Sequence, residues 1–191
     1  MTKSKDLRRL KRISKYLSLH LRHQPHKLGL TLAPGGWVDV SALLSAGATN
    51  GFAISLVELQ QVVETNDKQR FAFDETGTRI RANQGHSVPV DLQLEPVTPP
   101  PILYHGTADS SVSDILKAGL RPMSRHHVHL SENMNTARQV GSRHGRPVVL
   151  VVKAASMHQD GYPFYRAANG VWLCDKVPIQ YLTRIGPMDV S

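Results

Sequence analysis

Leu10, Ile13, Leu17 and Leu21 recur at spacings of three and four, so the chain opens on a helix over about residues 6 to 23 with one apolar face. Pro25 ends it, because the residue before a proline is pushed out of the helical region. SALLSAG predicts a second, short helix from Ser41, and Ser55 followed by Glu58 forms a capping box that opens a third, SLVELQQVVET. The period then changes. RFAFDETGTRIRA alternates around a Thr-Gly turn signal and predicts a hairpin whose inner face includes Phe71 and Phe73. Helices followed by a two-stranded wing describe a winged-helix-like lobe over residues 1–88, a shape common among nucleic-acid binders without being diagnostic of one.

PVDLQLEPVTPPP holds five prolines in thirteen residues and can continue neither a helix nor a central strand. It predicts a linker over residues 89–101. Beyond it, ILYHGT reads as a strand and SSVSDILKAG as a helix stopped by Gly119. HVHLS, a helix in NMNTARQVGS and the strand PVVLVVKA follow. RAANGVWLC carries an Asn-Gly hairpin signal, and KVPIQYLTRI predicts a last strand. Residues 102–191 therefore form a small, strand-rich second lobe, and the fold class of the whole is α+β, without internal repeats or low-complexity tracts.

Charge sharpens this picture more than composition does. The net charge is +8, and residues 1 to 27 hold nine Lys or Arg against the single acid Asp6, so this segment carries the whole excess. Such a placement favours a polyanionic partner, although a charge run also serves as a solvated helix face. No apolar run approaches the ~20 residues of a membrane span, and MTKSKDLRRLKR lacks the apolar core of a signal peptide. With one cysteine, Cys174, no disulfide framework is possible within the chain. These features predict a cytoplasmic protein, with a monomer as the default.

The chain lacks a Gly-rich dinucleotide fingerprint, a GxxxxGK[ST] loop, an HExxH motif and Cys-based zinc spacing. Its chemistry-bearing residues lie elsewhere. In RPMSRHHVHLS, a strand would turn His127 and His129 to one face, and with His126 they make a candidate metal site or a solvated strand edge. Arg125 could clamp a phosphate with its planar fork of donors or lie on the surface. HGT (His105, Gly106, Thr107) joins an imidazole and a hydroxyl to a glycine that lets backbone approach a ligand. Arg70 in NDKQRF stands where the third helix gives way to the wing, and QGHS follows the hairpin. Arg22 and His23, at the end of the first helix, are explained locally as cations favoured by the macrodipole, yet two long side chains there can also converge on one anion.

In this order, LSLHLRHQP, NDKQRF, IRANQGHS, HGT and PMSRHHVHLS resemble the RNA 2'-phosphotransferase family, and the resemblance covers nearly the whole chain. It implies an ADP-ribosyltransferase-like C-terminal lobe behind a winged-helix lobe that binds the RNA 2'-phosphate, and NAD+ as a consumed co-substrate, with no metal. It implies a two-step reaction that ADP-ribosylates the 2'-phosphate of an RNA such as a spliced tRNA, then releases ADP-ribose 1'',2''-cyclic phosphate. The family's catalytic set falls on Arg22, His23, Arg70 and Arg125. Its NAD+ contacts fall on His105, Gly106, Thr107, His129 and Ser131, with Arg143 in VGSRHG as a further pyrophosphate or ribose contact. Where many protein-modifying ADP-ribosyltransferases carry a glutamate, NGVWLC presents Val171. Two alternatives keep other outcomes open: an ADP-ribosyltransferase that caps terminal phosphates of RNA or DNA, and a winged-helix RNA-binding protein without activity.

Overall fold

The computed structural model describes residues 2–143 and 145–185, with side chains from residue 5 onward. The chain divides into two compact units, residues 1–94 and 95–191. Each mixes helices with small antiparallel sheets, an α+β arrangement.

The first unit starts with α1 (Thr2–Arg22). The apolar stripe read from the sequence is its buried face: Ile13, Leu17 and Leu21 are all fully buried, each stabilising the unit by about 2 kcal/mol through burial. A 3-10 turn at Pro25–Leu28 follows. Then come β1 (Trp37–Asp39), α2 (Val40–Thr49) and α3 (Leu56–Glu64). Asp39 caps α2 by accepting from the Ala42 amide at 3.0 Å. The capping box on α3 is present in full: the Glu58 amide donates to Ser55 Oγ at 3.2 Å, and the Ser55 amide donates to Glu58 Oε2 at 2.9 Å. Glu58 also pairs with Arg9 of α1 at 2.9 Å, so one carboxylate starts α3 and ties it to α1.

β2 (Phe71–Phe73) and β3 (Arg79–Ala82) form the expected hairpin, and β1 joins the outer edge to give the order β1-β3-β2. Its turn runs from Asp74 to Gly77, whose φ of 70° fits a residue without a side chain. Phe71 is buried, whereas Phe73 is half-buried at the margin of the core. The chain then returns across its own start. The Gly35 amide donates to Asp91 O at 2.7 Å, and Leu92 is buried against Gly36.

The second unit holds β4 (Leu103–Ala108), α4 (Asp109–Ala118), β5 (Val128–Leu130), α5 (Met134–Gly141), β6 (Pro147–Val152), α6 (Ala154–Gln159), β7 (Tyr165–Arg166), β8 (Trp172–Cys174) and β9 (Leu182–Arg184). Among the described residues they make two three-stranded antiparallel sheets, β4-β6-β9 and β5-β8-β7. Reciprocal backbone bonds between Tyr104 and Ser131, at 2.8 and 2.9 Å, join β4 to the end of β5. Gly119 ends α4 as expected, with a φ of 78°. The stretch read as one last strand is a 3-10 turn, Ile179–Tyr181, before the short β9, because Pro178 cannot donate to a ladder. The Asn-Gly signal marks a wider loop than a two-residue turn: Ala167 and Val171 close it, and Gly170 takes the positive φ.

β4 and α5 touch backbone to backbone. A Cβ on Gly106 would stand 1.7 Å from Ala137 O, and one on Gly141 would stand 2.7 Å from Thr107 O. The space beside Gly106, read from the sequence as room for a ligand, is filled on this side by the helix.

Candidate active site

Three of the expected residues lie in the first unit. Arg22 and His23 stand where α1 unwinds before Pro25, and the returning segment after β3 covers that end. Gly85 turns there with a φ of 88°, its Cα side facing the Arg22 guanidinium. Two residues on, the Ser87 amide donates to Arg22 O at 3.0 Å, and Ser87 Oγ pairs with His23 Nδ1 at 2.9 Å. The His23 ring is thereby fixed in rotation.

Arg70 arrives from the loop between α3 and β2. Asn66 organises that loop: its side-chain oxygen accepts from the Lys68 amide and from Arg70 Nη1, both at 3.1 Å, and its Nδ2 donates to Ser14 Oγ on α1 at 3.2 Å. Gln69 takes a φ of 41°, unusual for a residue with a side chain, and its carbonyl accepts from Asn83 Nδ2 at 2.6 Å. The carbonyl of Arg70 accepts from the Asn83 amide at 2.9 Å, with Arg22 Nη2 at 3.5 Å. Arg22 also sits 6.0 Å above the Phe71 ring. At the end of α1 the Arg22 guanidinium thus reaches the backbone of Arg70, the Arg70 guanidinium is held by Asn66 and the His23 ring by Ser87, and groups of these types suit an anion with several oxygens. Asn66, Asn83 and Ser87 are the supports that the sequence reading did not single out, although the motifs NDKQRF and IRANQGHS contain them.

In the second unit the structure brings HGT and HVHLS together. His105 and Thr107 lie on the face of β4 opposite α5, by the two-residue alternation of a strand. His105 Nδ1 donates to His129 O at 3.0 Å. A carbonyl can only accept, so Nδ1 carries the proton, and in the neutral ring Nε2 is an acceptor. Burial pushes the His105 pKa below its ordinary value, outweighing the carbonyl bond, which favours the neutral form near pH 7. Ser131 Oγ donates to Asn133 O at 3.1 Å and accepts from the Asn133 amide at 3.2 Å, so this hydroxyl shapes the turn into α5.

Arg125 lies in the turn before β5, where its amide donates to Pro122 O at 3.0 Å. Burial of its charge, and then the nearby charge of Arg143, push its pKa below the ordinary arginine value. Arg143 follows the end of α5. Two guanidinium groups that repel one another make a place where an anion relieves the repulsion. In the candidate histidine cluster His127 leans on Tyr165, with its Nε2 3.8 Å from Asp175, and among the described residues no three His, Cys, Asp or Glu side chains converge. Near the hairpin that presents Val171, Glu132 is committed elsewhere, accepting from Trp172 Nε1 at 2.6 Å and pairing with Arg166 at 3.3 Å.

Comparison with known proteins carries these geometries to a family. Residues 8–176 match the RNA 2'-phosphotransferase, Tpt1 / KptA family. The chain belongs to that family. RNA 2'-phosphotransferases similar to it include the probable enzyme of Trichormus variabilis, 64% identical over 171 residues, spanning 90% of this chain and 94% of the relative. The probable RNA 2'-phosphotransferase of Nostoc punctiforme is 62% identical over 177 residues, or 93% and 98% of the two chains. That of Streptomyces coelicolor is 58% identical over 171 residues, or 90% and 93%. Membership of an RNA 2'-phosphotransferase family implies an RNA substrate. Among the described residues no helix is long and apolar enough to cross a membrane.

Proposed function

We propose that this family member removes an internal RNA 2'-phosphate by transferring it to NAD+, the first unit acting as a winged-helix-like RNA lobe and the second as an ADP-ribosyltransferase-like lobe. The observation that supports the reading is that, in a chain of this family, Arg22 reaches Arg70 O at the end of α1 while Ser87 fixes the adjacent His23 ring. A 2'-phosphate monoester is anionic near pH 7, so it needs charged donors more than a base. Arg22 and Arg70 supply them without being able to lose their protons.

The second unit's groups suit NAD+. Arg125 and Arg143 offer charge to phosphate oxygens, while His105 Nε2 in the neutral ring can accept from a ribose hydroxyl. Gly106, Thr107, His129 and Ser131 complete the set implied by the resemblance.

In the first step a 2'-phosphate oxygen attacks the anomeric carbon of the nicotinamide ribose. The C–N bond breaks and nicotinamide leaves with the bonding pair. In the second step the ribose 2''-hydroxyl attacks phosphorus and gives up its proton to solvent, the P–O bond to the RNA breaks, and the departing 2'-oxygen receives a proton. We assign delivery of that proton to His23, and Arg22 and Arg70 stabilise the charge that develops on the phosphate oxygens, while Arg125 enters the catalytic set by the resemblance. Products are RNA with a 2'-hydroxyl and ADP-ribose 1'',2''-cyclic phosphate.

The test is incubation with NAD+ and an oligonucleotide bearing either an internal 2'-phosphate or a 5'-phosphate. Release of the cyclic phosphate from the first substrate supports the reading. A stable ADP-ribosyl adduct on the second alone would replace it with phosphate capping.

A further inference from the structure

The eight-charge excess of the first 27 residues is more than the anion site uses. Along α1 the cations fall into two groups. Arg9 is committed inward: it pairs with Glu58, donates to Ala53 O and lies 5.0 Å over the Phe52 ring, where Arg12 joins it at 5.7 Å. Arg8, Lys11 and Lys15 are exposed and make no hydrogen bond or ion pair among the described residues.

Helical geometry sorts these three further. At about 100° per residue, Lys11, Lys15 and Arg8 fall within roughly 40° of the direction of Arg22, whereas Arg9 is turned by roughly 140°. At 1.5 Å rise per residue they stand about 10, 16 and 21 Å from Arg22 along the axis, in the order Lys15, Lys11, Arg8. The row runs along the side of α1 opposite buried Ile13 and leads to the helix end where Arg22 and Arg70 are held. Leu7 and Leu19 are the exposed apolar residues on this helix, too far apart to form an apolar patch with the row between them.

We infer that Arg8, Lys11 and Lys15 form a backbone-binding rail for the RNA strand on one side of the 2'-phosphate. A single strand carries one charge per nucleotide, and a row of unpaired cations in line with the site matches it without reading sequence. This rests on the proposed function for the identity of the site at its end, and goes beyond it by assigning substrate length dependence to three residues outside the catalytic set.

The experiment compares two substrates, a 2'-phosphorylated dinucleotide and a single-stranded RNA of about 20 nucleotides with an internal 2'-phosphate, long enough to lie along α1. In the variant Arg8→Gln/Lys11→Gln/Lys15→Gln, KM for the long RNA rises by roughly tenfold or more, while turnover of the dinucleotide is unchanged. The slope of log affinity against log salt flattens by about 2, from ~0.7 per lost phosphate contact. Equal effects on both substrates, or an unchanged salt slope, would overturn the inference. So would loss of binding to phosphatidylserine vesicles with RNA affinity retained, since the row would then serve a membrane surface. If the wild type turns over neither substrate, the proposed reaction fails. The salt slope of long-RNA binding, read by fluorescence anisotropy, still decides the rail.

Discussion

Replacing Gly106 with alanine tests whether α5 and β4 are locked through their backbones. The added Cβ would stand 1.7 Å from Ala137 O and 2.5 Å from its carbonyl carbon, where contacts below 3.0 Å are essentially never found. Neither partner is a side chain that can rotate away, so the helix must lift from the strand by more than an ångström. Overpacking usually costs ~1–3 kcal/mol, and a clash between two fixed backbones belongs above that range, at about 4 kcal/mol. With a urea m-value of ~2 kcal/mol/M, the midpoint falls by about 2 M. The chain has two tryptophans, Trp37 in the first unit and Trp172 in the second, so fluorescence in a Trp37→Phe background follows the second unit alone. Gly161→Ala is the control. It has a positive φ, 88°, which Gly106 does not, but its Cβ meets nothing within 4 Å, so its cost is the conformational ~1–2 kcal/mol alone. If Gly106→Ala is no less stable than Gly161→Ala, the packing argument is wrong.

Three further outcomes are expected. His23→Ala accumulates the ADP-ribosylated RNA under single turnover, because loss of the proton donor slows the second step more than the first; a trace with no intermediate removes that role from His23. Arg125→Ala abolishes turnover while leaving the unfolding free energy within about 0.5 kcal/mol of the wild type, and full activity would refute its assignment. Glu58 is held at about 2, chiefly by Arg9, so its contribution is present above its ordinary value of 4.5 and is lost as pH falls from there toward 2. Because the pair is partly exposed, Glu58→Gln costs only about 1 kcal/mol at pH 7. Followed by Trp37 fluorescence, the gap to wild type should narrow between pH 5 and pH 3; a constant gap would contradict the linkage.

Elements with a long period or a dedicated end signal were legible in the sequence. α1 shows its buried stripe over three turns, Ser55 and Glu58 announce α3, and Gly119 stops α4. What escaped was short or set by tertiary contact. β1 is three residues long and becomes a strand by pairing Val38 with Ile80; α6 spans six residues, too few to display a helical period. The site shows the same division. Arg22, His23 and Arg70 are visible as residue types in motifs, but how they are anchored depends on Asn66, Asn83 and Ser87, whose hydrogen bonds connect positions 4 to 64 residues apart. Gly106 was legible as a glycine that must be one. Its reason was not, because the atom it makes room for belongs to a helix thirty residues later.

The return of the chain over Gly35 and Gly36 bears on how the first unit can be isolated. Proline content alone invites a cut just after Val88, before the first proline of the rich stretch. Such a fragment would forfeit the Asp91 carbonyl that holds the Gly35 amide and would strip Leu92 from the face of Gly36. A protease or a cloning primer that respects this clasp spares everything through Leu94, the last residue of the unit. The proline-rich stretch is thus divided between two hosts: as far as Leu94 it latches the first unit, and beyond it Pro96 bridges to Tyr165 and the Val97 amide donates to Phe164 O at 2.8 Å within the second.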